Sequence, residues 1–422
     1  MFGGVKSAGW ASILVAGGIA LGSSVSAQAA DFGGDCCADL EERIAELEST
    51  TARKGNTKVS LTVYGKVNQA IGWWDDGEET NIYNYTNDTS RTRFGFKGKA
   101  KISSDWYAGY RIEIGVRSPD QGELNADIVD AGGPFDLRHS YWTLGSKTYG
   151  AINVGQTSMA HDGITQFTTA KTSHFANPDI IDNVDSFEVI GAGESWDSLS
   201  MVFEPGEGSR GNLIRYDSPE FAGFQFKSHW GEDDIWGVAV TYEGDIGEFA
   251  VEGGIGYGEM TLRDEECTQR GGFKSHCREY GGSLSVMHKP SGLFATGAYG
   301  YREDEIKGAM TGDDDLWFYH VQGGIEQKWI ALGETTIFGG YQKRDSGAVV
   351  NDSNGNRIQV NAADVTDSEI EMFEVGFNQH ISAAAMDLYI HYKHYDADVT
   401  TTAGAVDTEA FQTVITGAHI KF

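Results

Sequence analysis

The chain is short of proline, of long apolar runs, of basic charge and of cysteine, and each shortage narrows what it can be. Only 6 prolines occur in 422 residues. Pro119, Pro134, Pro178, Pro205, Pro219 and Pro290 all fall between the segments that alternate in polarity, never inside one. That is the pattern of strands, because proline in a central strand removes a ladder donor. Past the amino terminus no stretch reaches the roughly 18 consecutive apolar residues of a membrane helix. The 32 basic residues are outnumbered by 62 acidic ones, for a formal charge of −30. Nucleic acid is therefore not expected as a partner, since its phosphates demand the opposite sign. There are 4 cysteines. Cys267 and Cys277 sit in one polar stretch and suit a loop disulfide in an oxidising compartment. Cys36 and Cys37 are adjacent; neighbours rarely pair with each other, so they cross-link chains or stay reduced. Asp35 before Cys36 does not fit a lipoprotein cleavage site.

What the chain does have falls into three parts. Lys6 precedes an apolar run from Ala8 to Val25 and the small-residue site Ala27-Gln28-Ala29-Ala30, which reads as a secretory signal over residues 1–30. Residues 31–57 read as a periplasmic segment with a short helix. Within Ala38 to Thr51, Leu40, Ile44 and Leu47 recur at helical spacing, and Asp39 can pair with Arg43. Two readings of that helix stand: a short coiled coil under an oligomer, or a lone tether, since isolated helices of this length are marginal.

From Lys58 onward the period is two. Sixteen alternating segments run near 58–74, 89–102, 106–117, 137–145, 149–156, 211–217, 223–231, 236–243, 248–258, 280–288, 293–302, 316–327, 335–344, 369–378, 386–396 and 409–422. Their connections alternate between short and long, as in an outer-membrane barrel. The expected fold is all-β: a sixteen-stranded antiparallel transmembrane barrel over 58–422, with a long inward-folded constriction loop and the short amino-terminal helix. An even strand count lets every backbone group pair after closure, which hydrocarbon demands. A soluble propeller would also give many strands, but not an irregular insertion as long as 157–210 or a terminal strand ending on Phe422.

The faces divide as a membrane barrel requires. Leu61, Val63 and Val67 share one face of the first segment, with Tyr64, Lys66 and Asn68 opposite. Phe94, Phe96, Ala100 and Ile102 oppose Arg93, Lys97, Lys99 and Lys101; Trp106, Ile112 and Ile114 oppose Arg111 and Glu113. A charge facing lipid at mid-depth costs roughly 2–4 kcal/mol, so the charged faces point to water. A barrel this wide is not filled by side chains, and its interior is an aqueous pore. The 157–210 insertion is acidic, with Asp179, Asp182, Asp185 and Glu188 as candidates to face the basic wall. Folded inward it would narrow the pore and set acid against base; its acidity points to a weak cation preference. The alternative is an external loop.

No catalytic constellation stands out, and no cofactor or metal is expected. His391 and His394 face opposite sides of a strand and cannot chelate together. Asp313-Asp314-Asp315 reads as a solvated acidic loop before it reads as a calcium site.

The motifs Tyr64-Gly65-Lys66-Val67, Arg93-Phe94-Gly95-Phe96-Lys97-Gly98, Arg138-His139-Ser140-Tyr141-Trp142-Thr143-Leu144 and Asn212 to Phe224, with terminal Phe422, resemble the trimeric general porins of Gram-negative outer membranes. The resemblance covers Lys58 to the end. It implies passive diffusion of ions and small hydrophilic solutes through a homotrimer set in outer-membrane lipid and lipopolysaccharide. It also implies a third loop that constricts the pore, a basic ladder of Lys66, Arg93, Arg138 and Arg215 on lumen-facing parity, and an assembly signal at Phe422. Lys97, Lys99 and Arg111 are further lumen-basic candidates. The insertion is longer than the family's loop and lacks its Pro-Glu-Phe-Gly type turn, and the amino-terminal helix is additional. A second reading makes the barrel mainly a tether to peptidoglycan through that helix. Cys267 and Cys277 are expected to pair within one loop after export. Peptide mapping of the non-reduced protein should recover them as a linked pair, and two free thiols would refute the pairing.

Overall fold

The computed structural model describes residues 58–129, 132–133, 135–178, 183–200, 205–231, 234–260, 275–306, 315–346 and 358–422. The expected signal and helix, Cys36, Cys37, Cys267, Asp179, Asp182, Asp313 and Asp314 lie outside them. The chain divides between Thr57 and Lys58, where the sequence turns to a period of two.

Sixteen long strands form one closed antiparallel sheet. They are β1 Thr62–Asp75, β2 Arg93–Lys101, β3 Trp106–Val116, β4 Phe135–Ser146, β5 Gly150–Ser158, β6 Arg210–Asp217, β7 Phe224–Gly231 and β8 Trp236–Ile246. There follow β9 Phe249–Met260, β10 Ser275–His288, β11 Leu293–Ile306, β12 Asp315–Ile330, β13 Gly333–Asp345, β14 Ala363–Ile381, β15 Met386–Thr401 and β16 Phe411–Lys421. Each pairs with the next, and β16 returns to β1 from Lys66↔Lys421 to Asp75↔Gln412. No edge is left to hydrocarbon, which is what lets a sheet span a bilayer. Connections after even-numbered strands are tight turns and those after most odd-numbered strands are long, as expected of periplasmic and external ends.

Several strands outrun the alternation seen in the sequence. β14 is 19 residues long, and Thr80–Thr86, inside an expected loop, is a strand that pairs with the upper half of β1. β10 starts early enough to take in Cys277, which pairs in register with Met260, so this disulfide-bonded cysteine sits on a strand and not in the expected loop. Past the hydrocarbon both faces meet water, so pairing continues while the polarity signal fades.

The apolar side of the sheet faces outward: Val63, Val67 and Ile71 on β1, Trp142 and Leu144 on β4, and Ile420 on β16 are exposed to the lipid side. The apolar core lies within the barrel, where the 157–210 segment folds against the inner wall. Its backbone is anchored strand by strand. Phe167 and Thr169 donate their N–H groups to Ser283 and Ser285 Oγ at 3.1 and 2.9 Å. Lys171 N–H donates to Glu326 at 2.8 Å, and Asn378 and Asn68 donate to the carbonyls of Lys171 and His174, each at 3.0 Å. Phe175 stacks on Tyr389 at 4.7 Å, Phe187 sits 4.8 Å from Trp74, and Trp196 lies against Tyr395 and Phe411.

Phe422 closes the seam. Its N–H and C=O exchange 3.0 Å hydrogen bonds with Gly65, and its ring lies over Gly65, where a Cβ would come 2.4 Å from Cζ. Only glycine tolerates that approach. Deleting Phe422, or replacing Gly65→Val, should lower the heat-modifiable folded barrel in unheated detergent gels while export continues. Parental outer-membrane levels in both variants would show the seam does not depend on this contact.

Candidate functional site

Three ladder residues meet where β1 to β4 pass the inserted loop. Lys66 pairs in register with Arg93 and its Nζ reaches Ser90 Oγ. The acid at the centre is Glu113 on β3, with its side chain 1% exposed. Arg138 Nε donates to Glu113 Oε1 at 3.0 Å, with Arg93 3.6 Å from the same oxygen. Arg111 and the Tyr64 hydroxyl donate to Oε2 at 2.6 and 2.9 Å. Three guanidiniums around one carboxylate leave a local surplus of positive charge.

Arg138 reaches this group by a device that alternation hides. Below it, His139, Tyr141 and Thr143 point inward while Ser140, Trp142 and Leu144 point outward. A regular strand would aim Arg138 at lipid with Trp142. The register instead slips between Glu113↔His139 and Ile114↔Leu137, leaving Arg138 as an extra residue. This bulge turns Arg138 and His139 inward together, and both are buried. Arg138 therefore lines the lumen, but not because its parity put it there.

The other sequence candidates separate. Arg215 stands apart from Glu113: it pairs with Asp217 at 2.8 Å and donates to the carbonyl of Ser158 at 3.1 Å, clamping the start of the inserted loop. Lys97 and Lys99 lie toward the short-turn end, over the rings of Tyr64 at 5.0 Å and Tyr107 at 3.5 Å. With Arg111, Lys147, Asp217 and Glu220 they line a vestibule of about 1130 Å³. Of the four loop acids expected to face the ladder, Asp185 and Glu188 are among the described residues, and the ion pairs of Arg93, Arg111 and Arg138 run to Glu113 instead. Asp185 lies against Gly122, Glu188 is exposed on a two-residue hairpin strand, and Glu113 on the wall itself takes the part expected of them. Loop acids elsewhere bind the loop to itself: Glu207 accepts from the N–H of Thr165 at 2.6 Å and from Gln166 at 3.0 Å. At the external rim Asp88 pairs with Arg91 at 3.5 Å and Arg117 at 3.9 Å. Burial pushes its carboxyl up to about 6, against the pull of those two arginines.

A closed sixteen-stranded barrel with charged residues inside, apolar residues outside and a loop folded through it defines an outer-membrane channel-type barrel. The chain belongs to the Gram-negative porin family, whose model matches residues 11–416. Among curated proteins it is similar to the chitoporin of Vibrio furnissii, 26% identical over 183 residues. That stretch is 42% of this chain and 42% of the chitoporin, so the match spans less than half of that relative. Among solved structures it is similar to the anion-selective porin from Comamonas acidovorans, with TM-score 0.56 and 16% identity over 86% of this chain and 100% of that one. It is also similar to OmpT of Vibrio cholerae in its trimer form, with TM-score 0.52 and 13% identity over 86% of this chain and 99% of that one. At these identities the likeness is one of fold.

Glu113→Gln should expose the arginines. The local charge of Arg93, Arg111 and Arg138 with Glu113 rises from +2 to +3. Losing charge-assisted hydrogen bonds should also lower barrel stability by about 1–3 kcal/mol. The reversal potential in a salt gradient should move toward anions; an unmoved potential in a folded variant would place Glu113 away from the ion path.

Proposed function

We propose that this protein is a water-filled outer-membrane channel through which ions and small hydrophilic solutes diffuse passively, three copies assembling as a trimer. The observation that carries the reading is the inserted loop held across the lumen beside a basic wall. Such a constriction limits solute size by its width and sorts ions by fixed charge, with no chemical step. Selectivity rests with the wall more than with the loop. Glu207 is taken up within the loop and Asp162 lies 4.0 Å from Arg210. Four basic side chains of the vestibule, Lys97, Lys99, Arg111 and Lys147, meet two acidic ones, Asp217 and Glu220. The channel therefore favours anions locally, against the cation preference suggested by loop acidity alone.

Planar-bilayer recordings test this. The parent should insert in steps of three equal conductances and stay open without substrate. Replacing Arg93 and Arg138 together by Ala removes two positive charges and two bulky side chains from the narrow region. Conductance should rise and the reversal potential shift toward cations. A correctly assembled double variant with both quantities unchanged would remove the constriction from this wall.

A further inference from the structure

We propose that the lumen holds a transition-metal site, formed by His174 of the inserted loop, Asp387 of β15 and His419 of β16, which fastens the loop to the barrel wall. Sequence spacing could not suggest it, because its ligands come from three distant segments that only the folded loop brings together.

All three side chains are buried, at 6%, 4% and 0% exposure. One donor atom from each lies within 4.8 Å of the other two. His174 Nε2 stands 3.8 Å from Asp387 Oδ2, and His419 Nδ1 stands 3.5 Å from the same oxygen. These separations are too long for good hydrogen bonds. They are near the edge of a metal tetrahedron, whose donors stand about 3.3–3.6 Å apart when each is roughly 2.0–2.2 Å from the ion. His174 Nε2 and both ring nitrogens of His419 lack a well-formed hydrogen bond. Unpaired buried imidazole nitrogens are costly, and a metal ion would satisfy one from each ring.

A neighbouring cluster shows the contrast. Glu374 receives His391 at 2.9 Å on one oxygen, and His320 at 3.2 Å and Gln322 at 3.0 Å on the other. That carboxylate is saturated and has no gap for an ion. At Asp387 the wall residues His380, at 2.8 Å, and Asn378, at 3.3 Å, occupy Oδ1 alone. They orient the carboxylate and leave Oδ2 toward the two histidines, the usual division between a ligand atom and its supports. The loop side is fixed as well: Asn68 holds the His174 carbonyl at 3.0 Å, and Phe175 packs edge-on to the His174 ring at 4.9 Å. The imidazoles stack at 4.8 Å and 19°, so binding asks each ring to turn until its free nitrogen converges on Oδ2.

The donor set selects the ion. Two nitrogens and one carboxylate suit Zn²⁺, Ni²⁺ or Cu²⁺ and not Ca²⁺ or Mg²⁺, which take oxygen. Lys66 and Lys421, paired across the seam beside His419, oppose any cation here, so the site requires the stronger bonds that imidazole nitrogen makes to these metals. An ion here would tie the loop to two strands next to the closing seam.

Purified trimers in mild detergent, stripped with chelator and dialysed against Zn²⁺, should retain about one more zinc per chain than H174Q or H419Q trimers. Both variants should bind at least tenfold more weakly. His380→Gln should weaken binding by about tenfold by loosening Asp387, while His394→Gln, whose ring is bonded to Asp396, should retain parental zinc. H174Q changes only the loop and keeps the strands intact. Co²⁺ bound to the parent protein should give the intense visible bands of tetrahedral cobalt, a readout that needs no variant. Equal zinc retention across parent and variants, or a weak octahedral cobalt spectrum in the parent, would overturn the site. Neither result bears on the channel reading, which stands on conductance.

Discussion

Hydrocarbon gives backbone amides nothing to bond with, and this one constraint governs the rest of the molecule. It forces the sheet to close, and closure decides where everything else can go. Apolar side chains must cover the outside, so polar ones collect inside. A sixteen-stranded ring encloses more volume than its own side chains fill. The insertion between β5 and β6 takes up part of that surplus, and its Phe175, Phe187 and Trp196 join inward-facing wall residues such as Trp74, Tyr389 and Phe411 in one apolar core.

The constriction is thus built from two kinds of contact with different tolerances. Phe175, Phe187 and Trp196 set the loop against Tyr389, Trp74 and Phe411, and shape decides those contacts. Beside them, the Arg93, Arg111 and Arg138 group is set by charge, with three guanidiniums held around the buried carboxylate of Glu113. Packing positions the loop while the wall's charge acts on whatever passes.

The barrel was legible in the sequence because lipid imposes a strict alternation on every strand that crosses it. All sixteen alternating segments became strands, and Lys66, Arg93, Lys97, Lys99 and Arg111 took the faces their parity assigned. What alternation could not carry was lost where its cause disappears. Thr80–Thr86 and the ends of β10 and β14 lie beyond the bilayer, with water on both faces. Arg138 sits at a bulge, a one-residue irregularity without a composition of its own. The counter-ion role of Glu113 and the meeting of His174 with Asp387 and His419 depend on contacts across more than a hundred residues or across strands, and periodicity contains nothing about them. Arg215 had the right parity and a different task, because parity fixes direction and not neighbours.

The bulge at Arg138 also bears on how such a pore can change over generations. Since Arg138 is the surplus residue in its strand, the ladder on either side is in register without it. Gaining or losing one codon there alters the charge of the constriction by a single unit. Trp142 and Leu144 would go on facing lipid, and the neighbouring pairs would stay as they are. In an ordinary strand the same insertion would turn every following side chain to the wrong face. The barrel therefore has, at its most charged point, a place where permeability can be adjusted in small heritable steps without remaking the wall.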